Sequence, residues 1–195
     1  MTDPTPLSSP SRHRTARALP FCLGLGLAAS FGATPALALP IVGDPVASAK
    51  LEDADGRAID LGSFRGKPIL IVYEDRDSAK QNEALKKDLA RLAAGDKYKT
   101  SVALAAVANV SAFDFWPIKG IVKDAIRKES KKQGTTIFCD WSGAFRKALR
   151  MRDRASSVVL VGRDGNVLFA ADGSISIEAR QRLIDLLRKE VEGVS

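Results

Sequence analysis

This chain is poor in the side chains that most often carry out chemistry. Its 195 residues include two cysteines and one histidine. The histidine, His13, and one cysteine, Cys22, lie in the first 38 residues, so Cys139 is the thiol that remains beyond them. A single cysteine excludes an intramolecular disulfide, and a region without histidine lacks the usual base of a serine nucleophile. We also expect no metal site and no cofactor.

The first 38 residues have the three parts of an export signal. Arg12, Arg14 and Arg17 precede an apolar run over residues 18–32, and the small-residue sequence Pro-Ala-Leu-Ala follows at 35–38. The apolar run is shorter than the roughly 20 residues that a membrane-spanning helix needs. We therefore expect cleavage near Ala38, a periplasmic or secreted protein, and no later transmembrane segment. Retention of the segment as a membrane anchor is the alternative.

The rest of the chain is long enough to fold as one domain without disulfide bonds. We expect an extended arm over residues 39–49 and a single domain over residues 50–195. Removal of residues 1–38 lowers the formal net charge from +7 to +5. That charge favours weak attraction to anionic surfaces, and we expect a monomer with no nucleic-acid partner.

Apolar periodicity and turn residues predict alternating strands and helices. The predicted strands are a hairpin over 50–60 turning at Asp55-Gly56, single strands over 69–73, 101–110 and 135–139, and a hairpin of 157–161 and 167–171. The predicted helices cover 78–94, 117–132, 143–149 and 177–191. Gly95 is expected to end the first helix in a left-handed conformation. This order predicts a layered α/β sandwich.

Several ordered segments resemble domains of the thioredoxin superfamily. Residues 42–45 (VGDP), 53–56 (DADG) and 61–68 (LGSFRGKP) resemble the start of peroxiredoxin-type and thiol-disulfide-reductase-type domains. Residues 157–166 (SVVLVGRDGN) resemble the strand and turn that follow the cis-proline of the superfamily. Residues 75–82 (DRDSAKQN) are similar to the YtfJ-type group of exported proteins. The resemblance implies a thioredoxin-like α/β/α sandwich with a mixed central sheet and an N-terminal β-hairpin.

The chain departs from the superfamily at its reactive positions. The two active cysteines match Ser78 and Gln81, and the cis-proline matches Ser156. Dithiol chemistry in this fold needs a thiolate at a helix N-terminus, which a serine cannot supply. We expect Ser78 to cap the helix over 78–94 in a capping box with Gln81. The alternative, a serine nucleophile, has no histidine to activate it.

Cys139 is the candidate catalytic residue if the protein has one. Beside the short helix over 143–149 and its basic residues, an exposed thiol could have a lowered pKa and be oxidised. A free cysteine is also among the most frequently buried residues, which would leave it inert.

Two basic segments form a possible surface for an anionic partner. Residues 117–132 have a local charge of +4, and residues 144–154 add another +4. The basic residues that could form this surface are Lys119, Lys123, Arg127, Lys131, Arg146 and Arg150. We expect the lysines of the first segment to lie opposite a buried stripe of Ile118, Ile121, Val122, Ala125 and Ile126. The alternative is a solvated face without a partner.

The aromatic stretch over residues 113–117 (FDFWP) also has two interpretations. It can present anchors to a ligand or partner, or it can fasten the start of a helix to the core.

These observations favour a binding or interaction module of the cell envelope that has lost dithiol chemistry. Its partner would be an envelope protein or an anionic surface. The alternative is a thiol-dependent oxidoreductase, a redoxin-like antioxidant protein acting through Cys139.

Overall fold

The computed structural model describes residues 39–64 and 66–193, so the predicted export segment lies outside it. The strands are β1 (Lys50–Asp53), β2 (Ala58–Asp60), β3 (Ile69–Glu74), β4 (Ala103–Asn109), β5 (Ile137–Asp140), β6 (Ser157–Val161) and β7 (Val167–Asp172). The helices are α1 (Glu83–Ala93), α2 (Asp96–Ser101), α3 (Ile118–Gln133), α4 (Ala144–Ala148) and α5 (Ile177–Glu192). No helix in the described ranges is long and apolar enough to cross a membrane.

The described strands form one mixed sheet in the order β2-β1-β5-β4-β3-β6-β7. Strands β3, β4 and β5 run parallel, and the remaining pairs are antiparallel. Both predicted hairpins form, with Gly56 and Gly165 at positive φ angles of 86° and 88° in their turns. Glycine adopts this conformation without the steric cost that a Cβ atom adds. The predicted sandwich with its mixed sheet is therefore confirmed.

The two faces of the sheet carry separate apolar layers, because successive strand residues point to opposite sides. On one face, Ile71 and Tyr73 of β3 pack with Phe138 of β5 and with Phe145 and Leu149, in and just after α4. The other face meets α1 and α5. Its contributors are Leu70, Leu85, Val158, Leu160, Phe169, Leu183 and Leu187.

Helix α3 covers the β5 end of that second face. Val122 and Ile126 pack against a small cluster that includes Cys139 and Trp141. The predicted buried stripe of this helix is partly wrong, because Ile121 is 63% exposed and Ala125 is also exposed. The helix is rotated so that Lys119 and Lys123 lie over the indole of Trp141.

The chain between β3 and β4 also differs from the prediction at both ends of α1. The helix begins at Glu83 rather than at residue 78, with Asn82 as its N-cap. Gly95 is not left-handed: it has extended angles of −90° and 135° and precedes the short helix α2. Strand β4 consequently starts at Ala103 rather than at residue 101.

Candidate functional site

The segment after β3 forms a closed turn at the position of the superfamily's reactive cysteines. The hydroxyl of Ser78 accepts a hydrogen bond from the backbone N–H of Asp75 at 2.9 Å. In return, Oδ1 of Asp75 accepts from the backbone N–H of Ser78 at 2.7 Å. Ser78 is completely buried, so its hydroxyl is closed to solvent.

The predicted capping box between Ser78 and Gln81 is also wrong. The Gln81 N–H donates to the backbone carbonyl of Ser78 at 2.9 Å, not to its hydroxyl. The Gln81 side chain turns away and accepts from the backbone N–H of Ser156 at 3.0 Å. Because Glu83 begins the helix, the positive end of the helix dipole lies beyond residue 78. The arrangement offers Ser78 neither a base nor access to a substrate.

Asn82 connects the start of α1 to two other parts of the fold. Its Nδ2 donates to the hydroxyl of Ser156 and to the carbonyl of Gly173, each at 2.9 Å. Its Oδ1 accepts from the backbone N–H of Ile175 at 2.9 Å. Asn82 is 3% exposed, and these bonds use its amide in place of a capping bond to the helix.

Glu74 and Lys86 extend this contact into a polar cluster, which we define as Glu74, Asn82, Lys86 and Ser156. The Ser156 hydroxyl donates to Oε1 of Glu74 at 3.0 Å. The Lys86 ammonium pairs with Oε2 of Glu74 at 2.6 Å and donates to the carbonyl of Ala79 at 2.6 Å. The polar groups at the carboxyl end of β3 therefore satisfy one another.

Sequence reasoning missed the polar cluster, although one signal was present. Asparagine is among the favoured N-cap residues, and it directly precedes Glu83. The partners of Asn82 lie 74, 91 and 93 residues away in sequence, and no local pattern specifies such contacts. Ser156 fills the position that matches the superfamily's cis-proline, and it is completely buried.

Cys139 lies in the small cluster beneath α3 and is 4% exposed. Its neighbours in that cluster are Ala54, Val110 and Trp141. Burial raises the pKa of the Cys139 thiol from its ordinary 9.0 to about 11, and the negative charge of Glu52 adds to this effect. Glu52 stands opposite Cys139 in the β1–β5 register. A thiol in this environment is protonated at neutral pH and is a poor nucleophile.

The raised pKa predicts slow alkylation and a stability that falls in alkali. We expect the native thiol to react about a hundredfold more slowly with iodoacetamide than the thiol of the unfolded chain, measured near pH 8. A group whose pKa is raised by folding stabilises the protein below its unfolded pKa. The free energy of unfolding should therefore decrease as pH rises from about 9 to about 11.

The variant Cys139→Ala provides the matched control for this prediction. In this variant, the decrease in the free energy of unfolding that comes from the Cys139 thiol should be absent. A further decrease above about pH 10 should remain in both proteins. That remaining loss comes from two tyrosines. Burial and the Asp140 charge raise the pKa of the Tyr73 phenol, and burial and the hydrogen bond to Glu192 raise the pKa of Tyr98. Equal alkylation rates before and after denaturation would contradict the burial of Cys139.

Two basic residues near the start of α3, Lys119 and Lys123, are turned towards the protein rather than away from it. Lys119 lies 4.7 Å from the ring centroid of Trp141 and pairs with Asp114 at 2.6 Å. Lys123 lies 5.9 Å from the same ring centroid. The predicted placement of these lysines opposite the packed face is therefore wrong, because cation–π contacts with Trp141 hold them on the inner side.

Arg127 is also engaged by neighbouring carboxylates. Its Nε lies 2.7 Å from Asp55 in the β1–β2 turn, and its Nη1 lies 2.6 Å from Asp124. These contacts raise the pKa of its guanidinium, and they neutralise the charge that Arg127 would otherwise offer to a partner. In contrast, Lys131 is exposed.

The two basic segments lie on opposite faces of the sheet. Helix α3 packs against Cys139, whereas α4 packs against the face of the adjacent residue Phe138. Neighbouring strand residues point to opposite sides, so the predicted surface cannot be continuous. On the α4 side, Arg146 lies 3.6 Å from Asp153, and Arg150 is exposed.

One residue of the aromatic stretch packs on the core, and two others are exposed. Phe113 packs against the cluster that contains Cys139 and Trp141, as expected of a residue that fastens the loop to the core. Phe115 and Trp116 are instead exposed, and the Trp116–Pro117 peptide bond is cis.

Solved structures similar to this one include several from thiol-dependent proteins. A candidate protein disulfide isomerase from Bacteroides thetaiotaomicron aligns with a TM-score of 0.56 and 17% identity, covering 78% of this chain and 91% of that one. A candidate thiol:disulfide interchange protein DsbE from Chlorobium tepidum aligns with a TM-score of 0.55 and 16% identity, covering 76% of this chain and 99% of that one. A thiol peroxidase from Chromobacterium violaceum aligns with a TM-score of 0.56 and 15% identity, covering 78% of this chain and 88% of that one.

At these identities the likeness establishes a thioredoxin-like fold and nothing about activity. No curated protein matches the chain. A family model described as "Bacterial protein of unknown function (YtfJ_HI0045)" matches residues 63–190, which is most of the chain and includes the closed turn and the polar cluster. The chain therefore belongs to the YtfJ_HI0045 family of bacterial proteins.

Proposed function

We propose that this protein is an exported thioredoxin-fold module that binds a partner in the cell envelope and catalyses no thiol chemistry. The observation that carries the proposal is the closed turn at residues 75–81. It has no sulfur, and its central side chain, Ser78, is completely buried and hydrogen-bonded to Asp75. Periplasmic or extracellular placement rests on the sequence of residues 1–38, which predicts export.

The polar cluster supports the same proposal. A redox site of this fold keeps a reactive thiolate accessible to its substrate. Here Asn82 and Ser156 are 3% and 0% exposed, and each forms hydrogen bonds within the fold. Such a network is costly to open, because every group in it would lose a partner.

The alternative function, a thiol oxidoreductase acting through Cys139, has less support. Cys139 is 4% exposed and its thiol has a pKa of about 11, so the thiol is neither accessible nor ionised at neutral pH. Such a protein would have to open the cluster beneath α3 before its thiol could meet an oxidant.

The experiment that tests the proposal is a direct assay of thiol chemistry. Purified protein should reduce insulin disulfides and hydrogen peroxide no faster than a Cys139→Ala control. Turnover that depends on Cys139 would overturn the proposal in favour of the oxidoreductase. Turnover that persists in the control variant would also overturn it.

Restoring the missing cysteines is expected to leave the protein inactive. In the double variant Ser78→Cys, Gln81→Cys, the first thiol would occupy a completely buried site five residues before α1 begins. Without the helix dipole its pKa is not lowered, so we expect insulin reduction at the wild-type background rate. Measurable disulfide exchange by the double variant would show that the turn can adopt a redox-competent geometry.

A further inference from the structure

The outer side of α3 and the loop before it expose large apolar side chains. Trp116 is 91% exposed, Ile121 63% and Phe115 55%. We call these three residues the apolar tip. The opposite side of the helix packs on the protein through Val122 and Ile126. Large apolar side chains that stand together in water are typical of an interaction site.

Lysines follow the apolar tip along the same side of the helix. Residues 7 and 11 positions apart share a face of an α-helix, which places Lys128 and Lys132 in line with Ile121. Both lysines are exposed, as is Lys131. Lys132 lies 3.6 Å from Glu129, while Lys128 and Lys131 make no ion pair within residues 39–64 and 66–193. The outer side of α3 is therefore apolar at its start and positive towards its end.

We propose that this side of α3 docks on an anionic lipid surface, with the apolar tip inserted at the boundary between headgroups and acyl chains. The proposal rests on the binding role argued above and names its partner. Tryptophan and phenylalanine favour that boundary, and lysines are attracted to anionic headgroups. Trp116 is almost fully exposed, and a fluid lipid surface accepts such a side chain without a matching pocket.

Charge disfavours a second copy of this chain as the occupant. Residues 117–132 carry six basic and two acidic side chains, and pairing two such helices would bring like charges together. An acidic protein surface would satisfy the lysines, but it would also need a pocket shaped for Trp116. Comparing polyglutamate with anionic vesicles distinguishes that occupant from lipid.

Fluorescence of Trp116 gives a readout specific to the tip. The chain has two tryptophans, and the other, Trp141, is 7% exposed. Vesicles that contain phosphatidylglycerol should shift the emission of Trp116 to shorter wavelength, and lipids brominated on the acyl chain should quench it. Vesicles of phosphatidylcholine alone should bind more weakly, and salt should weaken binding to the anionic vesicles. Each protein is produced with residues 1–38, and all variants are compared in the same processed form.

Two variants test the two parts of the surface. Because Trp116→Ser removes the fluorescent reporter, co-sedimentation with vesicles measures binding of the variants. Trp116→Ser should lower binding by about tenfold or more, whereas the control Ile177→Ser, at an exposed apolar residue outside the apolar tip, should not. Replacing Lys128 and Lys131 with glutamine should lower binding by about fivefold for each lysine removed. The control pair Lys87→Gln, Lys97→Gln, on α1 and α2, should have a smaller effect.

Unchanged Trp116 emission at saturating anionic lipid would overturn the proposal. So would binding that Trp116→Ser leaves intact. A shift of Trp116 emission with polyglutamate but not with vesicles would also overturn it and would assign an acidic protein as the partner. None of these outcomes changes the insulin and peroxide assays, so failure of this inference is distinguishable from failure of the proposed function.

Discussion

Replacing Asn82 with alanine is expected to lower the free energy of unfolding by about 3 kcal/mol, because three hydrogen bonds lose their shared partner. The amide is 3% exposed and bonds to Ser156, Gly173 and Ile175. Its removal leaves the carbonyl of Gly173 without its partner in a buried position and the N–H of Ile175 without its partner in a partly buried one. Urea unfolding monitored by circular dichroism measures the change.

Asn166→Ala is the matched control for this variant. Asn166 is also a hydrogen-bonded asparagine, but its amide donates to Asp164 in an exposed turn. Water can replace that bond, so the control should cost about 1 kcal/mol or less. Equal losses for the two variants would show that the buried network around Asn82 does not contribute to stability as argued.

Replacing Asp140 with alanine is the second change for which we expect a large effect, also about 3 kcal/mol. Asp140 is 5% exposed and accepts from the Tyr73 hydroxyl at 3.1 Å. It also accepts from the backbone N–H groups of Phe145 and Arg146 at 3.4 and 3.0 Å. Without the carboxylate, the Tyr73 hydroxyl is buried with no acceptor, and the start of α4 loses two hydrogen bonds to the end of β5.

The control and the conservative variant separate this role from a general effect of charge. Asp124→Ala removes an exposed carboxylate that pairs with Arg127, and we expect a change of about 0.5 kcal/mol or less. Asp140→Asn retains one oxygen acceptor and should fall between wild type and alanine. A loss of the same size in Asp124→Ala and Asp140→Ala would contradict the importance of the buried carboxylate. Chemical denaturation at constant pH measures all three variants.

The strands and hairpins of this fold could be predicted from local sequence. Continuous apolar runs gave β3 and β6 because both faces of these central strands are covered. The turns at Gly56 and Gly165 could be predicted because each needs a positive φ that glycine adopts freely. The order of these elements predicts a layered α/β sandwich, whereas the thioredoxin-like form is what the resemblance of segments such as 61–68 and 157–166 implies.

Helix boundaries near the candidate site could not be predicted in the same way. Both Ser78 and Asn82 are residue types that cap helices, so local propensity does not choose between them. Distant partners decided the choice: Ser156, Gly173 and Ile175 engage Asn82, while Asp75 closes a turn around Ser78. Gly95 follows the apolar pattern of α1, so local sequence predicts a left-handed cap there. The chain instead continues from Gly95 in an extended conformation into α2.

The orientation of α3 is a further case in which packing overrode the pattern. Its isoleucines predicted a buried stripe, yet Ile121 faces outward and Lys119 and Lys123 face Trp141. The indole of Trp141 attracts cations, and Asp55 in the β1–β2 turn attracts Arg127. These partners lie outside the helix, so the periodicity of α3 alone could not reveal them.

The sequence by itself determined the fold class and the absence of a dithiol, because the order of strands and helices along the chain follows from local apolar patterns and a cysteine is either present or not. It also left Cys139 as the thiol beyond residue 38. Only the tertiary structure decided that Ser78 and Cys139 are buried, and that the two basic segments lie on opposite faces of the sheet. The burial of a residue and the sheet face on which a helix lies depend on which distant segments pack against them. Local sequence does not specify that packing.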